Sequence, residues 1–311
     1  MRRGLLLVAL AATFLETGLA QQPVFKARAD VVQIDALVTS DGKPVRGLTA
    51  ADFEIRDNGV LQTIDFVSFD ERPVNVILAL DMSRSVAGLK LERLREAGRA
   101  LLDGLRKNDR AALITFSHVV TSPSLLSEDV AAVGRGLDDA RPTGDTALID
   151  GAQAAIGLGD PEDGRSLAIV FSDGLDSASF LTADAVRAAA RRSNVVVYGV
   201  ATGDRHAEFL RDLTNETGGR LLLTAGVGDF RTAFLEIVAE FRHRYLLGYA
   251  PRGVADDGWH KLEVKVRGRN ASVKARPGYQ RFKISRAARW PLTTAPSIVP
   301  GRPVSVQSPA R

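Results

Sequence analysis

Apolar residues fall into three successive patterns along the chain, and each predicts a different kind of element. From about residue 24 to 71 the period is two. Val32, Ile34, Ala36 and Val38 alternate with more polar positions, as on a strand covered on one face, and Phe53-Glu54-Ile55-Arg56 alternates again. Asp41-Gly42-Lys43-Pro44 reads as a turn, and Asp57-Asn58-Gly59 as a hairpin turn. Residues 73–244 change character. Val74-Asn75-Val76-Ile77-Leu78-Ala79-Leu80 is nearly continuous apolar, as are residues 112–116, 167–171, 195–200 and 221–223. Short continuous runs suit strands buried on both faces of a parallel sheet. Between them, Leu94, Ala97, Leu101 and Leu105 recur at helical spacing, as do Phe230, Phe234, Ile237, Val238 and Phe241. Asp229 stands where it would cap that last helix, and Gly218 where it would end the one before. This alternation predicts a doubly wound, mostly parallel α/β sheet.

From residue 245 to 282 the period of two returns. Leu262, Val264 and Val266 alternate with Lys261, Glu263, Lys265 and Arg267, behind the turn residues Asp256-Asp257-Gly258. Each flanking β segment is too short to make a good core alone. The economical expectation is one small β-sandwich built from residues 21–72 and 245–284, with the α/β segment of residues 73–244 inserted in it. The alternative is two separate β additions at the sheet edges. From residue 285 the chain is rich in Pro, Ser, Arg and Thr without periodicity, so a disordered tail is expected over 285–311. At the other end, Arg2-Arg3, an apolar run over residues 5–15 and the small residues Gly18 and Ala20 form the pattern of a secretory signal covering residues 1–20. The run is shorter than the roughly 20 residues of a spanning helix. The expectation is therefore an exported protein, in the periplasm, at the cell surface or secreted, with no stable membrane span after cleavage.

Composition narrows the chemistry. The 311 residues include no cysteine, which excludes disulfides, thiolate metal sites and a cysteine nucleophile. Four histidines leave little for a histidine-rich metal centre, and a net charge of +4 does not suggest nucleic-acid binding. Arg187, Arg191 and Arg192 form a short basic cluster on an expected helix, and Arg242 and Arg244 another; both read as solvated faces. His118, His206, His243 and His260 lack any motif context and read as surface or structural residues. No Gly-x-Ser-x-Gly elbow, phosphate loop or dinucleotide glycine pattern is present.

In an open parallel sheet, ligands bind beyond the carboxyl ends of the strands. Asp81-Met82-Ser83-Arg84-Ser85 follows the first apolar run, and Ser172-Asp173-Gly174-Leu175-Asp176 follows the third. Thr143-Gly144-Asp145-Thr146 lies between them, ahead of a helical stretch. Asp81, Ser83 and Ser85 alternate on an extended loop, so their oxygens can converge. Thr146 and Asp173 can join them. Two carboxylates and three hydroxyls are hard ligands, suited to Mg²⁺ or Mn²⁺ rather than zinc. Hydroxyls neutralise little of the +2 charge, so such an ion retains affinity for an Asp or Glu of a partner.

Asp81-x-Ser83-x-Ser85, Gly144-Asp145-Thr146 and Asp173-Gly174 together resemble the metal-ion-dependent adhesion site of von Willebrand factor A (VWA) domains. The whole layout resembles the exported bacterial VWA-related proteins first noted in Acidobacteria. The matching flanks are Val45-Arg46-Gly47-Leu48-Thr49-Ala50-Ala51-Asp52-Phe53, Asn58-Gly59, Leu247-Gly248-Tyr249 and Arg276-Pro277-Gly278-Tyr279. The resemblance implies that Ser83, Ser85 and Thr146 contact the metal through hydroxyls, and that Asp81 and Asp173 act directly or through water. Asp145 departs from the glycine common at that position and is a candidate accessory carboxylate; Asp176 is another, with capping of the next helix as its alternative role. The implied function is a non-enzymatic, metal-dependent protein-binding module for adhesion or scaffolding. A metal-dependent hydrolase using the same rim, or a structural envelope protein, are the alternatives.

Overall fold

The computed structural model describes residues 31–69, 72–159, 164–204 and 207–282. The expected signal in residues 1–20 and tail in residues 285–311 lie outside these. The described chain starts with β1 (Val32–Ser40), β2 (Lys43–Pro44), β3 (Phe53–Asp57), β4 (Val60–Gln62) and β5 (Phe66–Phe69). Positive φ at Asp41 and Gly42, and at Asn58 and Gly59, folds β1 onto β2 and β3 onto β4 through two-residue turns that match strand twist. Then come β6 (Val74–Asp81), α1 (Leu89–Asp103), β7 (Arg110–Phe116), β8 (Val120–Ser127), α2 (Val130–Asp139), α3 (Leu148–Leu158) and β9 (Arg165–Ser172). They are followed by α4 (Ala183–Ala190), β10 (Val196–Thr202), α5 (Glu208–Thr217), β11 (Leu221–Thr224) and α6 (Phe230–Arg242). The described chain closes with β12 (Arg244–Tyr249), β13 (Gly258–Val266), β14 (Ser272–Lys274) and β15 (Gly278–Arg281).

The six strands β6 to β11 form a doubly wound α/β sheet in the order β11-β10-β9-β6-β7-β8, parallel except for β8. Every residue of β6 and β9 is buried, which is why both read as unbroken apolar runs. Val76, Leu78 and Leu80 pack with α1, α2 and α6 on one face; Ile77 and Ala79 pack with α3, α4 and α5 on the other. The pattern gave no sign of β8. It is a largely exposed edge strand containing Pro123, tolerated there because an edge needs no second ladder. Gly218 ends α5 with φ 80°, the left-handed conformation that glycine adopts freely. The Asp229 side chain does not cap α6; it accepts from Gly226 N within a short 3₁₀ turn leading into the helix.

The flanking segments build a β-sandwich. One sheet runs β14-β1-β12-β5, with β2 beside β1, and the other β15-β13-β3-β4, so both sheets mix strands from before and after the α/β segment. Ile34, Ala36, Val38, Phe53, Ile55, Leu247 and Leu262 fill the space between them. Within that core lies a buried carboxylate. Asp57 Oδ2 accepts from the hydroxyls of Tyr249 and Tyr279, each at 2.8 Å, and Oδ1 lies 2.7 Å from His260 Nδ1. His260 stacks on Tyr279, which makes it a structural histidine. Burial, with the Asp57 charge assisting, pushes both tyrosine hydroxyls above the usual phenol range.

One residue separates α6 from β12, so sheet and sandwich meet without a linker. Arginines hold this joint, and here two sequence expectations need correcting. Arg242 and Arg244 are not on a solvated face. Arg242 is buried and paired with Asp109. Arg244 is 0% exposed and donates to Tyr198 Oη (3.1 Å), Asp35 O (3.1 Å) and Gly218 O (2.5 Å). Their charge misled the pattern reading, because a buried arginine is tolerated only when its donors are satisfied, and those acceptors are distant in sequence. Arg165 reaches across to Asp35 on β1 and lies over the Phe241 ring. Nor are Arg187 and Arg191 only solvated: both grip Glu216, and Arg191 lies over Trp259 on β13. Among the described residues no helix is long and apolar enough to cross a membrane.

Candidate metal centre

The chain enters the sheet at β6, places β7 on one side of it and β9 on the other. Winding therefore reverses between β6 and β9, and the loops leaving these strands part to open a crevice. That crevice positions the candidate site. Backbone hydrogen bonds tie its loops together: Met82 N donates to Phe116 O (2.7 Å), Thr143 N to Met82 O (2.8 Å), Arg84 N to Gly144 O (3.2 Å) and Ala147 N to Ser117 O (2.7 Å).

Asp81 ends β6 fully buried. Its Oδ1 accepts from Ser83 N (2.8 Å) and its Oδ2 from Ser172 Oγ (2.8 Å). Ser83 Oγ lies 2.9 Å from Ser85 Oγ, and Ser85 Oγ donates to Asp173 Oδ1 (2.6 Å). Thr146 joins from the third loop. A Cβ at Gly174 would stand 3.9 Å from its hydroxyl, and its carbonyl accepts from Ser177 N (2.8 Å) and Ala178 N (3.0 Å). Asp81, Ser83, Ser85, Thr146 and Asp173 thus come together at one rim. The set can hold a hard divalent cation: two carboxylates supply charge and three hydroxyls supply neutral donors. Among the described residues there is no cluster of three or more His, Cys, Asp or Glu, so a carboxylate-rich or imidazole-rich centre is not what this rim offers.

Electrostatics point the same way. Burial pushes the Asp81 carboxyl above the usual carboxylate range; the hydrogen bonds from Ser83 and Ser172 oppose the shift and the nearby Asp173 charge adds to it. Asp173 is balanced by Lys90, from the first turn of α1, whose Nζ lies 2.5 Å from Oδ2. Asp81→Asn should therefore stabilise the metal-free protein, by roughly 0.5–2 kcal/mol, the usual scale of a single stabilising substitution. An asparagine can accept from Ser83 N and donate to Ser172 Oγ, so the geometry survives without the buried charge. Thermal melts in chelator check this, and a lower midpoint for the variant would contradict it.

The accessory candidates separate. Asp145 lies exposed on the Thr146 loop. Asp176 instead accepts from Ile149 N (3.2 Å) and Ser179 Oγ (2.5 Å), capping the start of α3. Sequence reasoning missed Lys90, Ser172 and Asp150. Asp150 accepts from Phe180 N (2.8 Å) and Leu181 N (2.9 Å) and so fixes the loop after β9. Ser172 directly precedes Asp173 at the end of an apolar run, a position that could have flagged it; the other two act on groups far away in sequence. His118 packs against Gly144, where φ is +64° and a Cβ would fall 2.0 Å from His118 Nδ1. Gly144→Ala should thus shift the Thr146 loop and destabilise by roughly 1–2 kcal/mol. A paired melt and metal titration would read both effects, and an unchanged variant would refute them. Beyond Asp173, a crevice of about 330 Å³ continues between β9 and β10, lined by Gly174, Thr202, Asp204 and Leu210.

Known proteins resemble this chain over part of its length. An alignment of 170 positions, covering 49% of this chain, is 28% identical to inter-alpha-trypsin inhibitor heavy chain H2 of Mus musculus and spans 18% of that protein's length. Proximal thread matrix protein 1 from the mussel byssus, solved with a zinc-occupied MIDAS motif, superposes with a TM-score of 0.51 at 15% identity, over 59% of this chain and 49% of that one. A von Willebrand factor type A structure from Catenulispora acidiphila gives 0.50 at 12% identity, over 83% of this chain and 74% of that one. The family model for the von Willebrand factor type A domain matches residues 75–233, from the second residue of β6 into α6. That span holds the doubly wound sheet and all three loops of the rim, and by it the chain belongs to the von Willebrand factor type A domain family.

Proposed function

We propose that this chain is an exported protein-binding module, for adhesion or scaffolding, that captures an acidic side chain of a protein partner through a divalent cation, Mg²⁺ or Mn²⁺, at the sheet rim. The observation that carries this reading is the convergence of Asp81, Ser83, Ser85, Thr146 and Asp173 at the switch-point crevice. Ser83, Ser85 and Thr146 would hold the ion through hydroxyls, with Asp173 beside Ser85. Asp81, both of whose oxygens are engaged, would act through charge and by fixing Ser83. Most of the ion's donors would be neutral hydroxyls and water, so it keeps coordination positions open to exchange, for which a partner's carboxylate is the natural complement. The mussel protein holds zinc in its MIDAS motif, which supports a divalent ion at the matching place here.

The test is binding of the full chain to immobilised cell-envelope proteins with Mg²⁺, with chelator, and with Mg²⁺ restored. The reading expects binding that chelator removes and Mg²⁺ returns, absent in Ser83→Ala, with no turnover of ester or phosphate substrates by either protein. Turnover that Asp173→Ala abolishes would replace the binding module with a hydrolase.

A further inference from the structure

Exposed apolar side chains gather at the same rim. Twelve large hydrophobic residues are exposed among the described residues, and five of them, Leu89, Val119, Leu175, Phe180 and Leu181, lie on the loops or at the helix start around the candidate metal centre. Phe180 is the extreme case at 96% exposure, and Leu175 stands at 59%. An aromatic ring left in water on a tightly held loop needs a reason, because exposed apolar clusters mark interaction sites. The loop is held firmly. Ser177 N and Ala178 N donate to Thr146 O, and Phe180 N and Leu181 N donate to Asp150. The ring is thus presented on a fixed backbone, which lowers the entropy lost when a partner covers it.

We infer that Leu175 and Phe180 form a specificity surface beside the metal, and that the occupant is a protein segment carrying an apolar or aromatic side chain close to its metal-binding carboxylate. The inference rests on the reading above and adds the partner's second anchor. Ala178 N is 3.0 Å from Thr146 O, and two further residues reach Phe180, at most about 7 Å on. The Phe180 backbone therefore lies within about 10 Å of Thr146 O, a span that about three residues of an extended peptide cover at roughly 3.3 Å each. Charge favours this occupant over a lipid surface. Asp145, exposed on the Thr146 loop, opposes a sheet of anionic headgroups, whereas a divalent cation beside it is a point charge that attracts a single carboxylate.

Selection of a random peptide library, displayed on phage, against the full chain in Mg²⁺ tests the inference. Enriched peptides should pair Asp or Glu with Phe, Tyr, Trp or Leu within about four positions, and chelator should release them. One such synthetic peptide should bind Phe180→Ser roughly ten- to a hundredfold more weakly, while calorimetry shows unchanged Mg²⁺ affinity. Equal affinity for the variant, or acidic peptides without an apolar neighbour, would overturn the inference and leave the metal reading standing. Peptides that chelator does not release, or a library that yields no Mg²⁺-dependent binder, would count against both. Binding to phosphatidylglycerol vesicles that Phe180→Ser abolishes would reassign the patch to a membrane and overturn the inference.

Discussion

Asp57→Ala is expected to remove about 3–5 kcal/mol of stability, enough to leave a domain of ordinary stability largely unfolded on warming. The carboxylate is fully buried, and three groups depend on it: the hydroxyls of Tyr249 and Tyr279 and the Nδ1 of His260. Alanine would leave all three buried groups without this acceptor. The effect should reach beyond β3. Asp57 comes from before the α/β segment and its three partners from after it, so the carboxylate joins the two halves of the sandwich. Asp57→Asn keeps one acceptor oxygen and should lose about half as much. Denaturant melts of both variants would show the ordering, and an alanine variant within 1 kcal/mol of the parent chain would refute this account of the core.

Lys90→Met should act in the opposite sense on metal affinity, tightening it about ten- to a hundredfold. The ammonium lies against Asp173, a carboxylate whose side chain is wholly buried. A cation entering the rim must share that carboxylate with a positive charge already beside it. Two positive groups about 4 Å apart, one of them doubly charged, repel by about 2 kcal/mol at an effective dielectric of 80 and about 8 at 20, and a lysine that is one-third exposed sheds much of this by turning into water. Methionine keeps much of the aliphatic bulk and removes the repulsion. It also removes the counter-charge, so the variant should melt earlier in chelator and gain more than the parent when metal is added. Lower metal affinity in the variant would mean that Lys90 organises the site rather than competing for it.

The parts of this molecule legible from sequence are those with a local signal. The continuous runs of β6 and β9 announce burial on both faces, and Asp81-x-Ser83-x-Ser85 announces oxygens at one rim, but not by the extended loop expected: β6 ends at Asp81, and a 3₁₀ turn over Arg84–Val86 brings Ser85 back beside Ser83. Gly218 and Asn58-Gly59 mark turns that only a few residue types favour. What stayed hidden depends on contacts between distant positions. Arg244 looks like a surface charge until Tyr198, Asp35 and Gly218 are brought around it. Lys90 sits in a helical pattern that gives no hint of Asp173, and β8 carries too little buried apolar surface to leave a period-two trace. Asp176 was ambiguous for a physical reason: a carboxylate near a helix start serves equally well as cap or ligand, and only the position of Ile149 N decides.

Titrating Mg²⁺ into the full chain by calorimetry, alongside Ser83→Ala and Asp173→Ala, tests the central claim most directly. The account predicts one ion per chain for the parent protein and no measurable binding for either variant, with all three folded by circular dichroism. No heat of binding in the parent protein, or equal binding by all three, would contradict a metal centre at this rim.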